Sequence, residues 1–145
     1  MRKLLVINGP NLNMLGRRDK NIYSALTYDD LLNMIGTKSR ELKFETEVFQ
    51  SNHEGAIIDR IQDAMDDGTE GIVINPGAYT HYSYAIRDAL EMITVPKVEI
   101  HISDVYNRED FRAISVTKEV CDIQIAGEGF DGYLHAMQYI WEKLQ

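Results

Sequence analysis

The chain is poor in cysteine, proline and positive charge, and each shortage excludes something. Cys121 is the single cysteine, so no internal disulfide can form. One thiol reads as a reduced, cytoplasmic chain with a buried sulfur. The four histidines, at 53, 81, 101 and 135, form no ligand pair at metal spacing, so no zinc or other metal site is expected. With three prolines and 10 glycines there is no linker, low-complexity stretch or repeat. No apolar run is long enough to cross a bilayer, so no membrane partner is expected. The opening MRKLLVINGPN has two basic residues and a short apolar run to Asn8, which suits a strand better than a signal sequence. Fifteen Lys and Arg against 23 Asp and Glu leave a formal charge of −8 and a pI near 4.9. Such a chain is a poor general binder of nucleic acid. There is no G-x-S-x-G elbow and no Walker loop. Lys3 and Lys97 fall near strand starts and Lys118 just before the last strand, so Schiff-base catalysis is not expected.

What is present reads as one α/β domain over residues 1–145. Short β-rich runs alternate with amphipathic ones. LLVIN (4–8) and GIVIN (71–75) read as buried strands; FETEVFQ (44–50) alternates with period two; VEIHI (98–102), after Pro96, and VCDIQIA (120–126) are the last two strands. Helices are expected near 28–42, 53–67, 81–92 and 131–144. Five strands with helices between them imply a parallel sheet covered on both faces, and we read a flavodoxin-like three-layer fold of strand order 2-1-3-4-5. Such sheets bind ligands beyond the carboxyl ends of their strands. Strand one ends at Asn8 before Gly9-Pro10-Asn11, strand three at Asn75 before Pro76-Gly77, and strand four near Ser103. Asn before Gly or Pro is usually a turn residue, but three polar endings on one sheet edge favour a site.

The connection from Gly9 to about Leu26 is long for a strand-to-helix loop. It reads as a lid with Gly16 as hinge, carrying Arg17, Arg18 and Tyr23, or equally as a surface loop. Arg108 and Arg112 fall in a second loop, so an anionic ligand could be held locally. Glu99 and His101 are two apart on a strand and project from one face. A carboxylate beside an imidazole orients the ring and favours its protonated form, which suits a general acid; a structural ion pair fits the same spacing. Ser51 with Glu54 reads as a helix capping box, and Thr27 with Asp30 as a weaker one. Gly127-Glu128-Gly129-Phe130-Asp131-Gly132 matches the dinucleotide fingerprint and motivates a rival flavin- or nucleotide-binding reading. Only 13 residues follow it, with no further strand, so a tight turn with close helix packing fits better. A non-catalytic interaction domain is the second rival.

Taken together, INGPNLNMLGRRD, QSNHEG, INPGAYTHYSYAIRDAL, VEIHIS and REDFR, with a looser match at IAGEGFDGYLHAM, resemble the type II 3-dehydroquinate dehydratases of the shikimate pathway of aromatic amino acid biosynthesis. The segments run in family order along essentially the whole chain. The resemblance implies a hydro-lyase without cofactor that removes water in trans from 3-dehydroquinate, through an enolate, to 3-dehydroshikimate. Tyr23 matches the base, Arg18 the residue that lowers its pKa, and Asn11 the holder of a water near the enolate. His101 matches the acid, with Glu99 as its partner. Asn75, His81 and Arg112 match contacts to the substrate's hydroxyls and ring, and the backbone at Ile102 and Ser103 matches a carboxylate cradle. Asp88 matches a residue reaching the site from a neighbouring subunit of a homododecamer built as a tetramer of trimers. The chain departs from the pattern at Asp104, where Asn is usual, at Tyr106-Asn107, where His-Ala is usual, at Ser24, where Gly is usual, and at Ile114, where His is common. Asp104 brings a negative charge beside the carboxylate cradle. With no metal-ligand spacing in the sequence, dehydration of 3-dehydroquinate is expected to survive exhaustive chelation. Turnover lost to EDTA and restored by a divalent ion would contradict this.

Overall fold

The apolar runs become five parallel strands in the computed structural model, which describes residues 1–17 and 26–145. They are β1 (Arg2–Asn8), β2 (Phe44–Gln50), β3 (Gly71–Asn75), β4 (Lys97–His101) and β5 (Ile123–Ala126). The sheet order is β2-β1-β3-β4-β5, as the alternation of elements implies. Side-chain alternation divides the buried strands between two cores. Leu4, Val6, Val73, Val98 and Ile100 face α1 (Tyr28–Leu42) and α4 (Asp131–Lys143). Leu5, Ile7, Ile72 and Ile74 face α2 (Glu54–Asp63) and α3 (Tyr84–Glu91).

Register brings the chemistry to one edge. Asn8 lies beside both Gln50 and Asn75, Glu99 beside Gln124, and His101 beside Ala126. Beyond β1 the chain is drawn tightly against β3: Gly9 N–H donates to the Asn75 carbonyl at 2.8 Å. The phenol of Tyr133, fully buried on α4, donates to Asn8 Oδ1 at 2.6 Å and accepts from Asn75 Nδ2 at 3.0 Å. Burial raises that phenol's pKa, so it stays a neutral hydrogen-bonding group. Lys97, also buried, is satisfied by the Leu90 and Ile93 carbonyls at 2.7 and 2.8 Å. Cys121 is pushed up to about 12 by burial, with Glu99's charge adding to the effect, so it is no nucleophile.

Several sequence expectations are corrected at the ends of elements. β1 starts at Arg2 rather than Leu4. α2 stops at Asp63 rather than 67, because the following residues tighten into i→i−3 bonds, Met65 to Gln62 and Asp66 to Asp63, ahead of Gly68. The segment expected as helix from 81 is a 3-10 turn over Gly77–His81 followed by α3. β5 begins at Ile123, since Lys118–Val120 forms a 3-10 turn whose first N–H donates to Ser115 Oγ. Of the two capping boxes, the weaker signal forms in full: Thr27 and Asp30 exchange both bonds. The stronger does not, because Glu54 instead accepts from Ser83 Oγ at 2.5 Å, and the residue before α2 is His53. The glycine-rich turn behaves as the packing reading requires: Gly127 and Gly129 have φ of 81° and 61°, and a Cβ on Gly132 would stand 2.5 Å from Ile100 Cδ1.

Gly9 tests how closely β1 and β3 must meet. A Cβ there would lie 2.5 Å from the Pro76 carbonyl oxygen and 2.7 Å from its carbon, both backbone atoms that cannot rotate away. Gly9→Ala is expected to destabilise the fold by about 1–3 kcal/mol, read as a lower melting temperature. An unchanged melt would show that the two strand ends have slack.

Candidate active site

The carboxyl edge of the sheet opens into a cleft of about 130 Å³. Pro10, Asn11 and Leu12 line it from beyond β1, and Asn75, Gly77, Ala78 and His81 from beyond β3. His101, Ile102, Ser103, Val105, Arg108 and Arg112 line it from β4 and the loop that follows. Among the described residues no cluster of three His, Cys, Asp or Glu side chains is placed to hold a metal ion.

The electrostatic centre lies beneath the cleft floor. Glu99 has no solvent exposure, and its Oε2 stands 2.9 Å from His101 Nε2, so the two residues do share a face and a hydrogen bond. Although the imidazole ends a strand, it is buried, with His101 only 5% exposed. Glu99 also accepts from Ser115 Oγ at 2.9 Å, from Gln124 Nε2 at 2.6 Å and, on its other oxygen, from Thr117 Oγ1. Burial works against its charge, but the bonds from His101, Thr117 and Gln124 and the attraction of the imidazole outweigh it and hold its pKa below the usual carboxylate range. Glu99 is therefore an anion at neutral pH. With Nε2 committed to it, His101 keeps Nδ1 for a ligand.

His81 is held differently. Its Nδ1–H donates to the Ile114 carbonyl at 2.7 Å, and its ring meets Phe111 edge to face with centroids 5.5 Å apart. Burial lowers its pKa; His101 and Arg112 push the same way, against the bond to Ile114. A neutral ring anchored through Nδ1 leaves Nε2 to accept a hydrogen bond from a ligand hydroxyl. Asn75 reaches the cleft with much of its amide used: Oδ1 accepts from Gly77 N–H at 3.1 Å and Nδ2 donates to Tyr133. Asn11 adopts a left-handed backbone, φ 70°, and its N–H donates to Asn52 Oδ1 at 3.0 Å.

Two arginines line the cleft of this acidic chain, and Glu109 lies against both. Arg112 donates to Glu109 at 2.5 Å and lies 4.8 Å over the Phe111 ring. Arg108 donates to Ser103 Oγ at 3.2 Å, bracing the loop that would cradle a carboxylate. The sequence signals Arg108 only as one of four loop arginines, and the structure places it in the cleft. The charge of Asp104 is directed into its own turn, accepting from Tyr106 N–H at 3.2 Å and from Asn107 Nδ2. Asp88 is exposed on α3 and does not line the cleft within one chain. Arg18, Tyr23 and Ser24 lie outside the described residues. Sequence reasoning missed Ser115, Thr117 and Gln124; the available signals were the polar positions in ISVTK and the single polar residue in IQIA.

The geometry agrees with comparison to known proteins. A sequence model described as dehydroquinase class II matches residues 2–141. A 3-dehydroquinate dehydratase of Thermotoga maritima is 61% identical over 143 residues, covering 99% of this chain and 97% of the relative. That of Caldicellulosiruptor saccharolyticus is 54% identical over 144 residues, covering 99% of each. The crystal structure of a type II dehydroquinase from Butyrivibrio crossotus superposes with a TM-score of 0.95 at 58% identity, covering 96% of this chain and 97% of that one. With the same fold and full-length similarity, the chain belongs to the class II dehydroquinase family.

Proposed function

We propose that Tyr23 and His101 divide the work of this family's reaction, the dehydration of 3-dehydroquinate to 3-dehydroshikimate in the shikimate pathway. A β-hydroxy ketone loses water only if a proton leaves the carbon alpha to the ketone and the departing hydroxyl receives one. Tyr23, as phenolate, takes the carbon proton, and the electron pair moves into the enolate. His101 then protonates the hydroxyl as the C–O bond breaks, and water leaves in trans. Asn11 holds a water near the developing enolate oxygen. The N–H groups at Ile102 and Ser103 receive the carboxylate, and Asn75, His81 and Arg112 bind the hydroxyls and ring. The observation that carries this reading is the buried, ionised Glu99 hydrogen-bonded to an imidazole that lines the cleft. It supplies charge and orientation to an acid at the required edge of the sheet.

Assembly as a homododecamer in the cytoplasm, a tetramer of trimers with Asp88 acting across a subunit contact, belongs to the same proposal. Support comes from the face around α3, where Tyr82, Tyr84 and Met92 are 60%, 65% and 47% exposed. A monomer by light scattering with full activity would sink the role of Asp88.

The chemistry is tested by separating the two proton transfers. A free tyrosine has a pKa near 10, so only about one in a thousand is ionised at pH 7. A neighbouring arginine lowers an acidic group by roughly 1–3 units. Tyr23→Phe should abolish exchange of the substrate's alpha proton with solvent while leaving binding largely intact. Arg18→Ala should slow turnover and move the basic-side rise of the rate to higher pH. His101→Ala should remove most turnover while exchange persists, with the melting temperature measured alongside because the imidazole is buried. Near-normal turnover in His101→Ala, or exchange at the parent rate in Tyr23→Phe, would refute the assignment.

A further inference from the structure

We infer that Gln124 is a positioning residue for the acid, joining the Glu99–His101 pair to the loop that carries the carboxylate cradle through Tyr106. The inference rests on the division of labour between Tyr23 and His101 proposed above. Gln124 is the direct neighbour of Glu99 across the β4–β5 ladder, so both side chains stand on the same face of the sheet. Its Nε2 donates to Glu99 Oε2 at 2.6 Å, and its Oε1 accepts from the Tyr106 hydroxyl. The amide has one sensible orientation here, because a carboxylate only accepts and turning the amide over would set oxygen against oxygen.

Tyr106 sits in the same short loop as Ile102 and Ser103, beyond β4. Its phenol is held from the far side by Lys118, whose Nζ lies 3.5 Å from the hydroxyl and 5.6 Å from the ring centroid. A continuous line thus runs from Lys118 through Tyr106 and Gln124 to Glu99 and His101. Ser115, Gln124 and His101 converge on Oε2 and Thr117 holds Oε1, so the carboxylate is fixed at both oxygens. Gln124 is the donor of that set whose other end is anchored on the substrate-binding loop. Movement of that loop therefore reaches the carboxylate that aims His101 through one amide, in addition to the backbone that joins His101 to the loop.

A residue that aims the acid affects C–O cleavage and leaves removal of the carbon proton alone. When cleavage slows, the enolate returns to substrate more often, and exchange of the alpha proton with solvent gains on product formation. Gln124→Met keeps the length of the side chain and removes the amide. We expect kcat to fall about tenfold, the scale of one hydrogen bond to a charged group, with KM nearly unchanged. The ratio of deuterium exchange to dehydration, measured with 3-dehydroquinate in D₂O, should rise. Tyr106→Phe, which alters a half-exposed residue and is expected to fold even if Gln124→Met does not, should shift the ratio in the same direction by less. The double variant should match Gln124→Met alone. A purely structural glutamine would lower the melting temperature, or lower exchange and dehydration together, and either result without a rise in the ratio would overturn the inference. His101→Ala serves as reference. If it raises the ratio and neither Gln124→Met nor Tyr106→Phe does, the positioning role fails alone. If His101→Ala leaves the ratio unchanged, the assignment of the acid fails instead.

Discussion

A carboxylate removed from water must find hydrogen-bond donors or give up its charge. Glu99 is in that position, with no exposure and its charge retained. The cost of burying an isolated carboxylate runs to several kcal/mol even after relaxation, so the surrounding chain is arranged to offset it. Donors arrive from three segments: His101 on the same strand, Gln124 on the next, and Ser115 and Thr117 from the connection between them. The Thr80 hydroxyl, beyond the end of β3, stands 2.8 Å from both Ser115 and Thr117 and can donate to either. The requirement of one anion thus organises β4, β5, their connection and the turn after β3, which together build most of the cleft.

The strands could be read because β-rich runs separated by helical periodicity leave a simple trace, and the right-handed crossover rule then left few orders for the sheet. The pairing of Glu99 with His101 was equally legible, since alternation along a strand is local. Where reading failed, the deciding contact was distant in sequence. Glu54 has the type and spacing of a capping residue, yet Ser83, 29 positions away, offers it a better partner. His101 ends a strand, a position that favours exposure, yet it is buried at a cleft lined by the segments after β3 and β4. Gln124 looks like an ordinary polar residue in a strand until the register sets it beside Glu99. Arg18 and Tyr23 were legible only through resemblance to a family, since nothing local marks one loop tyrosine as a base.

An acidic chain can still bring positive charge to its cleft because charge acts locally. Arg108 and Arg112 reach the cleft from the loops after β4, and Asp104 spends its carboxylate on the turn at Tyr106 and Asn107. A net charge of −8 describes the surface as a whole and says little about a site a few ångströms across.

The phenol of Tyr133 joins the last helix to the ends of β1 and β3 through Asn8 and Asn75. This bears on how the protein is made. β1 and β3 leave the ribosome early, but the amides at their ends have no phenol to meet until α4 has been synthesised and docked. A nascent chain stalled before that helix would have the central strands and an unfinished floor to the cleft. Order at the ends of the two central strands therefore waits on α4, although both strands are made long before it.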